Sequence, residues 1–107
     1  MKKIKNVTFI GMGLINSSLA RSLKKKKFYE HSVAVSRRKS TIEKIKKLQI
    51  VDKVESDYKK AVENADLIII GIPVNAYERV LKKISNNLKP EAIVTDVGSV
   101  KQSIVKL

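Results

Sequence analysis

The sequence has 107 residues, enough for one domain with a single core and too few for most two-substrate enzymes. With 43% hydrophobic and 31% charged residues it reads as a soluble globular chain: no apolar run nears the roughly 18 residues of a bilayer crossing, the basic start shows no cleavage-site pattern, and the absence of cysteine excludes disulfides and thiolate metal sites and fits a reducing cytoplasm. The formal net charge of +13 is spread over nearly every amphipathic segment, and with 5% aromatic residues the stacking platforms of a single-strand binder are missing, which argues against a nucleic-acid partner.

In chain order, "IKNVTFIG" (Ile4 to Gly11) reads as a first strand. Leu14 to Lys27 follows as a helix with Ile15, Leu19 and Leu23 on one face, and the Lys24 to Lys27 run closes it at the negative end of its dipole. "SVAVS" (Ser32 to Ser36) is a second strand. Ser40, with Glu43 three residues on, has the form of a capping box opening a helix through Leu48, with Ile42, Ile45 and Leu48 inward. A short third strand is placed around Val54, and Asp57 caps a helix to about Asn64 that buries Tyr58, Ala61 and Val62. "DLIIIGIP" (Asp66 to Pro73) has the near-continuous apolar run of a strand covered on both faces. A helix from Asn75 to Asn86 presents Val80, Leu81 and Ile84, "AIVTDVG" (Ala92 to Gly98) is a fifth strand, and Ser99 caps a last helix that reaches the final residue, Leu107.

This alternation is the pattern of βαβ units, and the expected fold is a doubly wound parallel α/β sheet of the Rossmann, dinucleotide-binding type, with its ligand crevice at the carboxyl ends of the strands. Three loops meet at that edge. After the first strand, "GMGLIN" supplies Gly11 and Gly13 for a tight turn and close approach to a pyrophosphate, with Leu14 and Ile15 opening the helix whose positive end receives it. The G-x-G-x-x-G fingerprint wants a third glycine where this chain has Asn16, a change expected to shift the helix modestly and to weaken binding without abolishing it.

The second loop, "SRRKST", stands where an NAD site carries an acid for the ribose 2′-hydroxyl. Ser36, Arg37 and Arg38 instead offer a hydroxyl and guanidinium donors suited to a 2′-phosphate, so the expected cofactor is NADP rather than NAD. In the third region, Ile72, Pro73 and Val74 after the fourth strand and "TDVGSVK" after the fifth line the nicotinamide half; Asp96, Ser99 and Lys101 bring an acid, a hydroxyl and a cation to it. His31 precedes the second strand, on the edge away from the crevice, and is read as a surface residue.

The stretches "IGMGLINSSLARSLK", "ADLIIIGIPV" and above all "LKPEAIVTDVGSVKQSIV" resemble the N-terminal nucleotide-binding domain of prephenate and arogenate dehydrogenases, over essentially the whole chain. The resemblance implies oxidative decarboxylation in tyrosine biosynthesis: hydride passes from a cyclohexadiene alcohol to the nicotinamide as the ring loses its carboxylate and becomes aromatic. It implies that Gly11 and Gly13 contact the pyrophosphate, Ser36 to Arg38 the adenosine ribose, and Ile72 to Val74 the nicotinamide side, and that Ser99 sits beside the catalytic histidine and substrate hydroxyl. "VSRRKST" is similar to the NADP-using, arogenate-preferring branch. Two departures stand out. Where the family writes G-L-I-G-G-S this chain has "GLINSS", and the family's downstream histidine motif and helical, dimer-forming domain are absent from the 107 residues. The expectation is therefore a fragment or split-gene product that binds NADP but does not turn over substrate alone. Imine reductases and β-hydroxyacid dehydrogenases are the alternative enzyme class, and a non-catalytic nucleotide or polyanion binder is the alternative outside enzymes.

Overall fold

The computed structural model describes residues 4–11, 21–22, 24–25, 29–36, 38–49, 51–72 and 74–96. Its strands are β1 (Asn6–Ile10), β2 (His31–Val35), β3 (Lys53–Glu55), β4 (Leu67–Ile70) and β5 (Ile93–Asp96), and its helices are α1 (Lys39–Leu48), α2 (Tyr58–Val62) and α3 (Val74–Ile84), the last running into a 3-10 turn at Ser85–Asn87. The strands form one sheet in the order β3-β2-β1-β4-β5 with every neighbouring pair parallel. The direction of winding reverses between β1 and β4, so the crevice expected of such a sheet opens above Ile10 and Ile70, which are register partners.

Strand periodicity divides the core between the two faces. Ile10, Val35, Ile68 and Ile70 pack with Ala61 and Val62 of α2 and Val80 and Ile84 of α3. Val7, Phe9, Leu67 and Ile69 face the other way, joined by Tyr29, whose ring meets Phe9 edge-on at 6.3 Å. Ala34 and Ile45 of α1 extend that second layer. Both faces of β1 and β4 are thus covered, which is why every residue of β4 is apolar without alternation. The buried exception, Thr8, donates its hydroxyl to the Ala61 carbonyl at 2.6 Å and pins the short α2 to the sheet.

Several expectations move. α1 begins at Lys39, not after a Ser40 cap: Arg38 holds the extended N-cap conformation (φ −82°, ψ 124°), makes no side-chain cap, and its carbonyl takes the Ile42 N–H at 2.9 Å. The S-x-x-E pattern sits two residues too late because the helix has already closed its first backbone ring at Arg38. Leu81 is 40% exposed, since the apolar stripe of α3 runs through Val80 and Ile84 and turns Leu81 off it. Asp57 caps α2 as expected, accepting the Lys59 N–H at 3.0 Å. Arg21, Ser22, Lys24 and Lys25 are helical, in keeping with the first expected helix; the rest of it, the Leu48 side chain and the final helix lie outside the described residues.

At the amino ends of the strands, Asp66 is a clamp. Its carboxylate accepts the N–H groups of Lys5 (3.1 Å) and Asn6 (2.9 Å) and pairs with the Lys89 ammonium, while its own N–H bonds the Asn6 carbonyl and its carbonyl takes the Ile93 N–H. Lys89 first, then the Asn6 and Lys5 amides, hold this carboxyl below the usual carboxylate range.

Candidate functional site

At the carboxyl edge, Gly11 ends β1 with φ +83°, a conformation that side chains rarely adopt. A Cβ there would stand 2.5 Å from the Ile72 side chain and 2.7 Å from the Gly71 carbonyl oxygen. The turn after β1 is therefore pressed against the exit of β4, and Gly71 completes the contact by donating its N–H to the Ile10 carbonyl at 2.8 Å. Only a residue without a side chain fits where the winding reverses.

Beside it, β2 delivers Ser36 and Arg38 to the start of α1. Ser36 donates its N–H to the Glu55 carbonyl at 3.1 Å, and Arg38 is exposed. Because the Arg38 side chain does not cap α1, the first-turn N–H groups of the helix stand as donors at this edge, next to an exposed arginine. Glu55, the acid that ends the neighbouring strand, is occupied elsewhere: its carboxylate accepts the Ser56 and Asp57 N–H groups (3.1 and 3.3 Å) and lies 3.6 Å from the Lys53 ammonium. The Asp57 amide chiefly, opposed by burial and aided by the Ser56 amide and Lys53, holds it below its ordinary range. The donor set left at the end of β2 is cationic, which fits an anionic ribose substituent.

On the other side of Gly11, Ile72 packs against the core and α3 begins at Val74, of which the backbone alone is described. Asp96 closes β5, opposite Ile70. Tyr77, which sequence reasoning did not single out, donates its hydroxyl to the Ile70 carbonyl at 3.1 Å. Burial first, then the Asp96 charge, raises its pKa, so this phenol stays protonated and remains a donor. The one trace of it in the sequence is an aromatic on the inward face of an otherwise aliphatic helix.

Gly11, Ser36, Arg38, Ile72 and Val74 thus share one edge of the sheet, while Gly13, Leu14, Ile15, Arg37, Pro73 and Ser99 lie outside the described residues. His31 begins β2 at the opposite, amino edge, 3.7 Å from the Asp52 carboxylate, which also accepts the Ser32 N–H and hydroxyl. A polar cleft of about 400 Å³, lined by Thr8, Val33, Lys53, Lys60 and Asn64 among others, opens on the α2 side and includes none of the residues expected to hold nucleotide. Among the described residues no group of acids and histidines is arranged to hold a metal, and no helix is long and apolar enough to cross a membrane.

A parallel sheet in the order 3-2-1-4-5 with a glycine turn at its winding reversal defines a Rossmann-type dinucleotide-binding domain. Residues 19–107 match the family profile described as "Prephenate dehydrogenase, nucleotide-binding domain", and the chain belongs to that family of dehydrogenases. It is 36% identical over 109 residues to the cyclohexadienyl dehydrogenase of Zymomonas mobilis, an alignment covering 99% of this chain and 36% of that protein. Among solved structures it is similar to the arogenate dehydrogenase of Synechocystis (TM-score 0.76, 34% identity, 85% of this chain and 32% of that one). It is also similar to the prephenate dehydrogenase of A. aeolicus solved with hydroxyphenyl propionate and NAD+ (TM-score 0.78, 26% identity, 86% of this chain and 32% of that one). The chain spans about a third of the length of these relatives.

Proposed function

We propose that these 107 residues are the dinucleotide-binding part of an NADP-dependent prephenate or arogenate dehydrogenase of tyrosine biosynthesis, acting in the cytoplasm. The observation that carries the cofactor choice is the end of β2: Ser36 and an exposed Arg38 beside a helix start without a side-chain cap, with the neighbouring Glu55 carboxylate taken up by the Ser56 and Asp57 amides. Gly11 and Gly13 approach the pyrophosphate, with Leu14 and Ile15 beyond them; Ser36, Arg37 and Arg38 hold the 2′-phosphate; Ile72, Pro73 and Val74 wall the nicotinamide. Ser99 orients the substrate hydroxyl toward a histidine supplied from outside these residues, because the single histidine present, His31, stands at the wrong edge. The bound dinucleotide supplies the hydride acceptor.

On this reading the 107 residues bind NADP without turning over either substrate, and in the family's full-length form they sit within a homodimer. Calorimetric titration tests it. NADP+ is expected to bind at least about tenfold more tightly than NAD+, and Arg37→Asp to reduce or reverse that preference. No heat with either coenzyme, or turnover of prephenate or arogenate by the isolated chain, would overturn the reading.

A further inference from the structure

The contacts at the winding reversal involve three consecutive residues of one short segment. The Ile70 carbonyl accepts the Tyr77 hydroxyl at 3.1 Å, the Gly71 N–H bonds Ile10 at 2.8 Å, and the Gly71 carbonyl and Ile72 side chain form the surface against which Gly11 turns. Gly11 itself is fixed by its strand and its steric environment. The exit of β4 is held on one side by the Ile10 bond, and a phenol reaches back to it from the first turn of α3, seven residues on. Tyr77 is also packed against the core layer of Ile68, Ile70 and Val80, so its ring is anchored and its hydroxyl is aimed. Asp96, ending β5, is the acid whose charge acts on this phenol.

We infer that Tyr77 is a positioning residue for the nicotinamide half of the site: through its bond to Ile70 it holds Gly71 and Ile72 in the place where they wall the bound dinucleotide. The inference rests on the nucleotide-binding reading above and adds to it a residue that touches neither phosphate nor ribose. A purely structural tyrosine would weaken every ligand in proportion to lost folding. A tyrosine that fixes the β4 exit acts on the half of the ligand lying beyond Gly11 and leaves the adenosine half alone.

The test compares wild type with Tyr77→Phe, which keeps the ring and removes the hydroxyl, using NADP+ and 2′,5′-ADP, the portion of that dinucleotide ending at the adenosine phosphates. Loss of one neutral hydrogen bond is expected to weaken NADP+ roughly three- to tenfold while 2′,5′-ADP binds as to wild type. Equal weakening of both ligands, or no change in either, overturns the inference. If Tyr77→Phe does not fold, amide exchange on the wild type decides: NADP+ must slow exchange at Gly71 and Ile72 more than 2′,5′-ADP does, and equal slowing overturns the inference. A wild-type chain that binds neither ligand sinks the nucleotide reading itself, an outcome distinct from the other two.

Discussion

A Cβ at position 11 meets a backbone carbonyl as well as a methyl group, and a carbonyl held in a strand exit cannot step aside as a flexible side chain can. Gly11→Ala combines this overlap with the cost of a positive φ, and should destabilise the fold by about 1–3 kcal/mol in urea titration. Coenzyme binding should fall with it, since the turn must open to admit the methyl. Asp66 works by charge. Its carboxyl is held low in the folded state, so its contribution to stability is fully present above the ordinary carboxylate range and is lost as pH falls through the depressed value. Glu55 adds a change of the same sign. Melting temperature should therefore hold steady from pH 7 to about 5 and drop below pH 4. Asp66→Asn should lose about 1–3 kcal/mol at neutral pH and show a shallower acid decline, because it retains part of the clamp and has no carboxyl to protonate. An acid profile parallel to that of wild type would remove Asp66 from this account.

At the level of elements, α1 sets stability against ligand. An extended arginine without a side-chain bond is a poor N-cap, and a carboxylate in its place would both accept a first-turn N–H and complement the dipole. Arg38→Asp is expected to stabilise the domain by about 0.5–1 kcal/mol while weakening NADP+ by about tenfold or more, read from thermal melts and titrations on the same sample. A variant that is less stable and still binds NADP+ normally would mean that Arg38 serves the helix and not the ligand. The same helix shows what sequence could and could not supply. Apolar runs and the Asp57 cap are local signals, and the strands and α2 lie close to where they were expected. The start of α1 was missed because the residue with the better capping chemistry, Ser40, stands two residues after the one with the extended conformation, and the backbone ring closed on Arg38. Thr8 to Ala61, Asp66 to Lys5 and Tyr77 to Ile70 were illegible for another reason. They are single polar contacts between separate elements, the first two more than fifty residues apart, and they leave no period in the chain. Gly11 was legible because glycine directly after an apolar strand has few other uses.

Over the whole molecule, charge and sheet shape govern behaviour in solution. The formal +13 is distributed, so heparin should bind only at low salt and release well below about 0.5 M, whereas coenzyme affinity should change little. Heparin retained at high salt together with failure to bind NADP+ would make the lysine surface the functional one. Among the described residues β5 is the outer strand of the sheet on this side, with Ile93 57% and Val94 36% exposed, an apolar edge of the kind that recruits further strands. Ile93→Lys should reduce self-association in sedimentation experiments on the 107-residue chain, with no loss of melting temperature.

The strand order also sets a schedule for synthesis. β1 pairs on one side with residues 31–35 and on the other with residues 67–70, so the first of these partners leaves the ribosome well before the second. At ordinary elongation rates the interval is roughly two to six seconds. Throughout it the nascent chain carries a bare edge, with Val7, Phe9 and Ile10 still uncovered, on what will become its central strand, and this is when cellular holdases have most to shield.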